Sequence, residues 1–323
     1  MPEDLGGFFS SLSLEWIQDI PYKRIGDTVL TLDVLRPQKL GDKKVPAIIC
    51  IHGGAWRKGT NKNYNAASFA ANGYVTFNIR YRLTGEAPFP ADLEDCMDAL
   101  RWVRAHGAEY GADTKRIALR GGSSGAHLAL MMALTAQPGE IAGVAAACAP
   151  SHLPALYQST VAANAFFAKR DAETLAQNRE EALRLLGGAG DGVCRQQELE
   201  TMLNVQGFAG AFDMLLGRSV GEDAAALEPA SPYHLLERME PERVKALPPF
   251  LLLHGLADPL VPVYQSLLLH EKLREKGADV KMHLFANAKH DYMFDCGVFR
   301  PERMACILEF LDHCLGMQRR ENN

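Results

Sequence analysis

Short apolar runs rich in β-branched and aromatic residues alternate along this chain with segments of helical periodicity. That alternation restricts the fold more than any other feature. "VPAIICIH" (Val45 to His52) and "YVTFNIRY" (Tyr74 to Tyr81) have the length and composition of buried strands. "TVLTLDVLRP" (Thr28 to Pro37) alternates apolar with polar residues, as a half-exposed strand does, and ends on proline. "NKNYNAASFAANG" reads as a short helix closed by Gly73. From Asp92 to His106, Leu93, Met97, Leu100 and Val103 recur at helical spacing before Gly107. "RIALRG" is then a strand, Ser124 to about Ala136 a helix, and "IAGVAAACAP" another strand. Strand and helix in this rhythm imply parallel strands, right-handed crossovers and helices on both faces of one sheet.

The rhythm breaks between about 154 and 227, where the chain is rich in Ala, Glu and Leu, with helical stretches such as "DAETLAQNREEALRLLG" and no strand candidate. It resumes with "PPFLLLHG", "VPVYQSLLLHEKLREKG", "DVKMHLF" and "RPERMACILEFLDHCLG". The expected architecture is therefore one α/β domain over residues 1–323, interrupted by a helical cap insertion at about 154–227.

With 47% hydrophobic and 23% charged residues, the chain can bury a sizeable core. Its net charge of −5 argues against nucleic-acid and anionic-membrane partners, which favour a basic face. No run approaches the roughly 20 apolar residues that span a bilayer. Glu3 and Asp4 stand where a secretory signal would be positively charged, so the expected location is cytoplasmic. Seven scattered cysteines without a C-x-x-C pair point to reduced core thiols, with neither a disulfide framework nor a metal site.

The strand "RIALRG" runs into "GSSGAHLALMMAL" through a cluster of small residues. Gly121, Ser123 and Gly125 fit G-x-S-x-G at a strand-to-helix junction, the context in which such a serine sits on a sharp turn with its hydroxyl above the sheet. A serine hydroxyl needs a base to take its proton and an acid to orient that base. In this kind of sheet those partners follow in the order acid, then histidine, each after a later strand. Asp258 in "LLLHGLADPLVP" and His290 in "HLFANAKHDY" meet both requirements, with Asp291 a weaker rival for the acid. A tetrahedral intermediate also needs donors for its oxygen anion. The candidates are the backbone N–H groups of Gly53, Gly54 and Ala55 in "CIHGGAWRKG" and that of Ser124. Trp56 in the same loop is a candidate substrate contact, although it and His52 also suit a bracing role. His127 and His254 lie in apolar surroundings and are expected to be packed and hydrogen-bonded.

Together "HGGAW", "GGSSGAHLA", "HGLADPLVP" and the late histidine resemble the α/β-hydrolase superfamily, in its esterase and lipase branch near the hormone-sensitive lipase group. The "HGGAW" form is most similar to bacterial acetyl and feruloyl esterases and to kynurenine formamidases. The likeness runs from about residue 25 to 315 and is weakest in the insertion. It implies that Ser123, His290 and Asp258 form a triad, that Gly53, Gly54 and Ser124 belong to the oxyanion region, and that no cofactor is needed. Ala126 stands where many relatives carry glycine, and "KHDY" departs from the usual small-His-Gly-aromatic pattern. The implied activity is hydrolysis of short-acyl carboxylic esters, including acetyl or aryl esters of carbohydrates. Alternatives are arylformamidase activity on N-formylkynurenine and a catalytically inactive hydrolase-fold binding protein. A prolyl-oligopeptidase-type peptidase is disfavoured because no propeller repeats precede the catalytic half. The expected partner is a small-molecule ester. Phe166, Phe167 and Met214 of the insertion suit helix packing better than a pocket lining, and the insertion is also the candidate contact of a homodimer.

Overall fold

A computed structural model describes residues 13–41, 44–62, 66–168, 205–290 and 301–317, the side chains of 163–168, 205–208 and 301–302 excepted. Among the described residues, eight strands form one sheet in the order β1-β2-β4-β3-β5-β6-β7-β8. They are β1 (Leu14–Ile25), β2 (Thr28–Pro37), β3 (Val45–Ile51), β4 (Val75–Ile79), β5 (Ala112–Gly122), β6 (Gly143–Ala147), β7 (Phe250–Gly255) and β8 (Val280–Phe285). β1 pairs antiparallel with β2 and β2 with β4, and all remaining pairs are parallel. The principal helices are α1 (Ala67–Ala71), α2 (Ala91–His106), α3 (Ser124–Thr135), α4 (Leu153–Ala168), α5 (Val205–Leu216), α6 (Pro232–Glu237), α7 (Pro241–Lys245), α8 (Tyr264–Glu275) and α9 (Pro301–Leu315).

Period-two burial divides the core between the two faces of the sheet. Ala47, Ile49 and Ile51 of β3, with Phe250 and Leu252 of β7, pack with α2, α3 and α8. Ile48, Cys50, Leu251 and Leu253 point the other way, against α1 and α9. Both faces are covered, which is why these strands read as continuous apolar runs. Helix α3 is buried at every residue from Ser124 to Leu134, in keeping with its lack of a polar face.

Strand β1 was not expected from the sequence. Its register with β2 slips between Ile17 and Ile20 and again between Pro21 and Lys23. Those bulges destroy the alternation that marks a strand, and Pro21 is tolerated because β1 lies at the sheet edge. The helix expected over 61–73 is confined, among the described residues, to Ala67–Ala71. The described part of 154–227 is helical and contains no strand, and residues 169–204 lie outside the described residues.

Asp33 on β2 is fully buried and ties β1 to the loop after β3. It accepts from Trp16 Nε1 at 2.9 Å, the Asp19 amide at 2.9 Å, Asn61 Nδ2 at 2.6 Å and Lys62 Nζ at 3.0 Å. A buried carboxylate with this many donors is fully satisfied, and it fixes the far end of that loop.

The sheet order reverses between β3 and β5: the chain steps outward from β3 to β4, then returns to β5 on the other side of β3. Crossovers on opposite faces leave a crevice at such a switch point, beyond the carboxyl ends of the strands. Close approach there is enforced by glycine. A Cβ on Gly125 would lie 2.2 Å from the Ile51 carbonyl oxygen and 2.5 Å from that of His52, and one on Gly121 would lie 2.2 Å from the Gly125 oxygen. Gly125→Ala is therefore expected to lower stability by about 3 kcal/mol, the upper end of overpacking costs, because every clash is with backbone. Urea unfolding of the variant beside the parent protein checks this.

Candidate active site

The nucleophile candidate sits at the end of β5 in a conformation side chains rarely adopt: Ser123 has φ 54° and ψ −126°. Its amide donates to the Ala147 carbonyl at 2.8 Å, and its carbonyl accepts from the His127 amide at 3.0 Å, so both flanking elements hold the turn. Backbone strain of this kind costs roughly 1–3 kcal/mol and persists only where the surroundings impose it. The hydroxyl faces His290, whose Nε2 is 3.1 Å from Ser123 Oγ. His290 Nδ1 lies 2.6 Å from Asp258 Oδ2. An ionised carboxylate only accepts, so Nδ1 carries the proton and Nε2 presents its lone pair to the serine. All three side chains are buried, at 8%, 7% and 8% exposure for Ser123, His290 and Asp258, so their mutual contacts are shielded from water.

The acid is held by a cage larger than the sequence suggested. Its Oδ1 accepts from the amides of Leu260 and Val261, both at 2.9 Å, and His254 Nε2 lies 3.5 Å from Oδ2. Burial alone would raise the pKa of this group. The imidazoles of His254 and His290 and the Val261 amide outweigh it and hold the carboxyl well below the usual carboxylate range. The loops carrying acid and base are also clamped together: the Ala257 amide donates to the Ala288 carbonyl at 3.0 Å, and a Cβ on Gly255 would meet that same oxygen at 2.2 Å.

Cys148, His254 and Asp258 bring one ligand-type atom each within 4.8 Å of one another, the one such group among the described residues. Both nitrogens of His254 are already engaged, Nε2 with the Val261 carbonyl at 2.7 Å and Nδ1 with Ser266 Oγ at 2.7 Å. The Asp258 oxygens are engaged as described, so the cluster is a hydrogen-bonded surround for the acid. In the sequence Cys148 is one of the expected core thiols, and it is buried. Its one local peculiarity, a left-handed φ of 50°, is invisible without the structure.

The loop after β3 lies beside the serine. Gly54, Ala55 and Trp56 have consecutive φ values of 126°, 53° and 59°. A Cβ on Gly54 would fall 1.9 Å from the Lys58 carbonyl oxygen, which explains that glycine. Among the described residues, no hydrogen bond uses the amides of Gly53, Gly54, Ala55 or Ser124. Four unengaged donors thus lie on the two segments that flank the crevice. Trp56 requires a correction: it is fully buried and its indole N–H donates to His127 Nδ1 at 3.1 Å, so it packs the loop and does not reach a substrate. His52 also packs, stacked on Tyr81 with ring centroids 4.3 Å apart and its Nδ1 2.9 Å from the Gly53 carbonyl. His127 is fully enclosed and bonded at both nitrogens, as expected from the sequence. Met214 is 39% exposed, whereas the side chains of Phe166 and Phe167, and Asp291 altogether, lie outside the described residues. Also among the described residues, no helix is long and apolar enough to cross a membrane.

Comparison with known proteins agrees with this geometry. Residues 32–187 match the BD-FAE family, and residues 208–318 match the prolyl oligopeptidase family. Esterase LipQ of Mycobacterium tuberculosis is 28% identical over 308 residues, covering 93% of this chain and 62% of that protein. Carboxylesterase NlhH of the same organism is 34% identical over 115 residues, 35% of this chain and 36% of that protein. The chain thus spans less than two-thirds of the length of these curated relatives. Among solved structures, a thermophilic esterase of Thermogutta terrifontis superposes with a TM-score of 0.64 at 21% identity, covering 95% of each chain. Esterase B of Lactobacillus rhamnosis gives 0.65 at 20% identity, covering 97% of this chain and 91% of that one. The mostly parallel sheet, the serine turn at its centre and the partners after β7 and β8 have the architecture of the α/β-hydrolase fold. In sequence the chain is similar to esterases of that fold.

Two buried histidines give the site a measurable pH signature. Burial pushes both His52 and His127 down to about 4. In the unfolded chain each titrates near its ordinary value of about 6.5. Between these values the unfolded state binds protons that the folded state refuses, so stability falls as pH drops from about 6.5 to 4. The expected loss is about 3 kcal/mol per histidine by pH 4, with a slope of about 1.4 kcal/mol per pH unit for each proton. Urea unfolding from pH 7 to 4.5 checks it. His127→Asn is expected to make the acid limb shallower by about one proton.

Proposed function

We propose that this protein is a serine esterase that hydrolyses carboxylic esters of short acyl groups through an acyl-enzyme on Ser123. The observation that carries the reading is the pair of contacts made by His290, 3.1 Å to Ser123 Oγ and 2.6 Å to Asp258 Oδ2. In this mechanism Ser123 Oγ attacks the ester carbonyl carbon while its proton passes to His290 Nε2. Asp258 holds the Nδ1 proton and faces the imidazolium that forms. It does not take the proton, because its pKa is held well below the usual carboxylate range. The negative oxygen of the tetrahedral intermediate is met by the Ser124 amide, at the start of α3, and by amides of Gly53, Gly54 and Ala55. Collapse breaks the C–O bond to the alcohol, which leaves with the proton from Nε2. Water then attacks the acyl-enzyme with His290 again as base, and the carboxylic acid is released as Ser123 recovers its proton. These steps use only groups of this chain.

Preference for short acyl groups has two supports. The exposed large apolar side chains among the described residues, Val161, Met214, Leu256, Leu267 and Leu284, sit on four separate elements and the turn after β7, which suits dissolved esters better than a lipid surface. The structurally similar Thermogutta terrifontis esterase is known bound to propionate. Segment 154–227 is assigned the role of a cap over the crevice, because it joins β6 to β7, the strands between nucleophile and acid.

Ser123→Ala is expected to reduce turnover of p-nitrophenyl acetate by about three to six decades and to abolish fluorophosphonate labelling. Asp258→Asn is expected to cost about four decades by favouring the wrong imidazole tautomer. Undiminished hydrolysis by Ser123→Ala would sink the assignment. A parent protein that neither hydrolyses the ester nor takes the label would instead indicate a binding protein. Faster turnover of N-formylkynurenine than of any p-nitrophenyl ester in a chain-length series would move the activity to formamide hydrolysis.

A further inference from the structure

The oxyanion donors proposed above come from two segments that are not continuous in sequence: the loop after β3 and the first turn of α3. Catalysis by such donors depends on their separation and aim, and β3 alone does not set these. The loop leaves the strand through three successive left-handed residues, two of which, Ala55 and Trp56, carry side chains that disfavour that conformation. Something outside the loop must hold them there.

The holding group is at hand on α3. Trp56 Nε1 donates to His127 Nδ1 at 3.1 Å, with the two rings edge to face and their centroids 5.2 Å apart. His127 stands one turn after Ser123, and its amide donates to the Ser123 carbonyl at 3.0 Å. On its far side His127 Nε2 is 2.6 Å from the carbonyl oxygen of Ala230, 103 residues away in the segment before α6. A carbonyl accepts only, so Nε2 must carry the proton, which leaves Nδ1 as the lone pair that receives the indole N–H. The Ala230 carbonyl therefore selects the one neutral tautomer able to hold Trp56. Burial keeps the ring neutral at ordinary pH. Phe212 of α5 packs against the Trp56 ring, with centroids 6.1 Å apart.

We infer that Trp56 and His127 are positioning residues: the hydrogen-bonded chain Trp56–His127–Ala230 sets the loop amides against the Ser124 amide and so fixes the geometry of the oxyanion site. Neither side chain touches the substrate. Trp56 acts through the backbone of the residues just before it, and His127 through both Trp56 and the serine turn. The inference rests on the esterase reading, because it supplies the reason for aiming those amides.

The test compares a transition-state mimic with a substrate. A trifluoromethyl ketone forms a hemiketal on the serine and places its oxygen anion among the donors, whereas KM for p-nitrophenyl acetate reports mainly on the uncharged ester. Trp56→Phe keeps the ring and removes the N–H. It is expected to weaken ketone inhibition about tenfold, to lower kcat by a similar factor, and to leave KM within about twofold. His127→Leu is expected to do the same. His127→Asn restores an acceptor near the place of Nδ1 and should recover most of the ketone affinity lost in His127→Leu. A purely structural role would lower thermal stability without changing the ratio of ketone Ki to KM. An unchanged ratio in Trp56→Phe overturns the inference, as does an equal loss in the Asn and Leu variants should Trp56→Phe fail to fold. If the parent protein neither turns over the ester nor binds the ketone, the esterase reading itself falls, an outcome separate from an active parent with an unchanged ratio.

Discussion

The structure depends on a backbone crossing with no room for a side chain. Where β5 turns into α3, the turn lies directly over the end of β3, and the space a Cβ on Gly125 would need is held by the carbonyl oxygens of Ile51 and His52. Three consequences share that contact. The helix can begin immediately after the serine, so its first amides lie within the crevice. The loop leaving β3 starts beside the same serine. The serine is forced into a left-handed turn, which lifts its hydroxyl above the sheet instead of into the helix. A dense helix behind the turn, buried from Ser124 to Leu134, supplies the packing that keeps a strained residue from relaxing.

Much of this was legible in the sequence because two strong local signals coincide at the centre of the sheet. β3, β4, β5, β6 and β7 read clearly as apolar runs and β2 as an alternating one, since each is covered on one or both faces and bounded by turn residues. The serine, the acid and the histidine were legible from order and position: each follows a strand, and short loops leave little choice about where the side chain stands. β1 was not legible because its bulges scramble the period-two pattern, and because most of its residues are only partly buried. The short helices α6 and α7 begin on Pro232 and Pro241 and have too few residues to show a period.

At the site, what escaped the sequence is what depends on contacts between distant segments. Trp56 has the same letter whether it lines a pocket or braces a loop. Only its burial and its bond to His127 decide. Gly255 looks like an ordinary turn glycine after a strand, yet the Ala288 carbonyl occupies the place of its missing side chain and joins the acid loop to the base loop. Cys148 and His254 surround the acid from β6 and β7, strands that are neighbours in space and separated in the chain by the whole 154–227 segment. Electrostatics follows the same logic: the acid stays ionised because donors converge on it from three separate stretches.

The distance along the chain between Ser123 and His290 has a bearing on biosynthesis. The two residues are 167 positions apart, and β7 and β8 are the last strands of the sheet to be made. At ordinary translation speeds of about 5–20 residues per second, the serine leaves the ribosome roughly 10–30 s before the histidine. During that interval the hydroxyl has no base and little nucleophilic power. On the proposed esterase reading the nascent polypeptide is thus chemically silent, and reactivity switches on only when the final pair of strands docks.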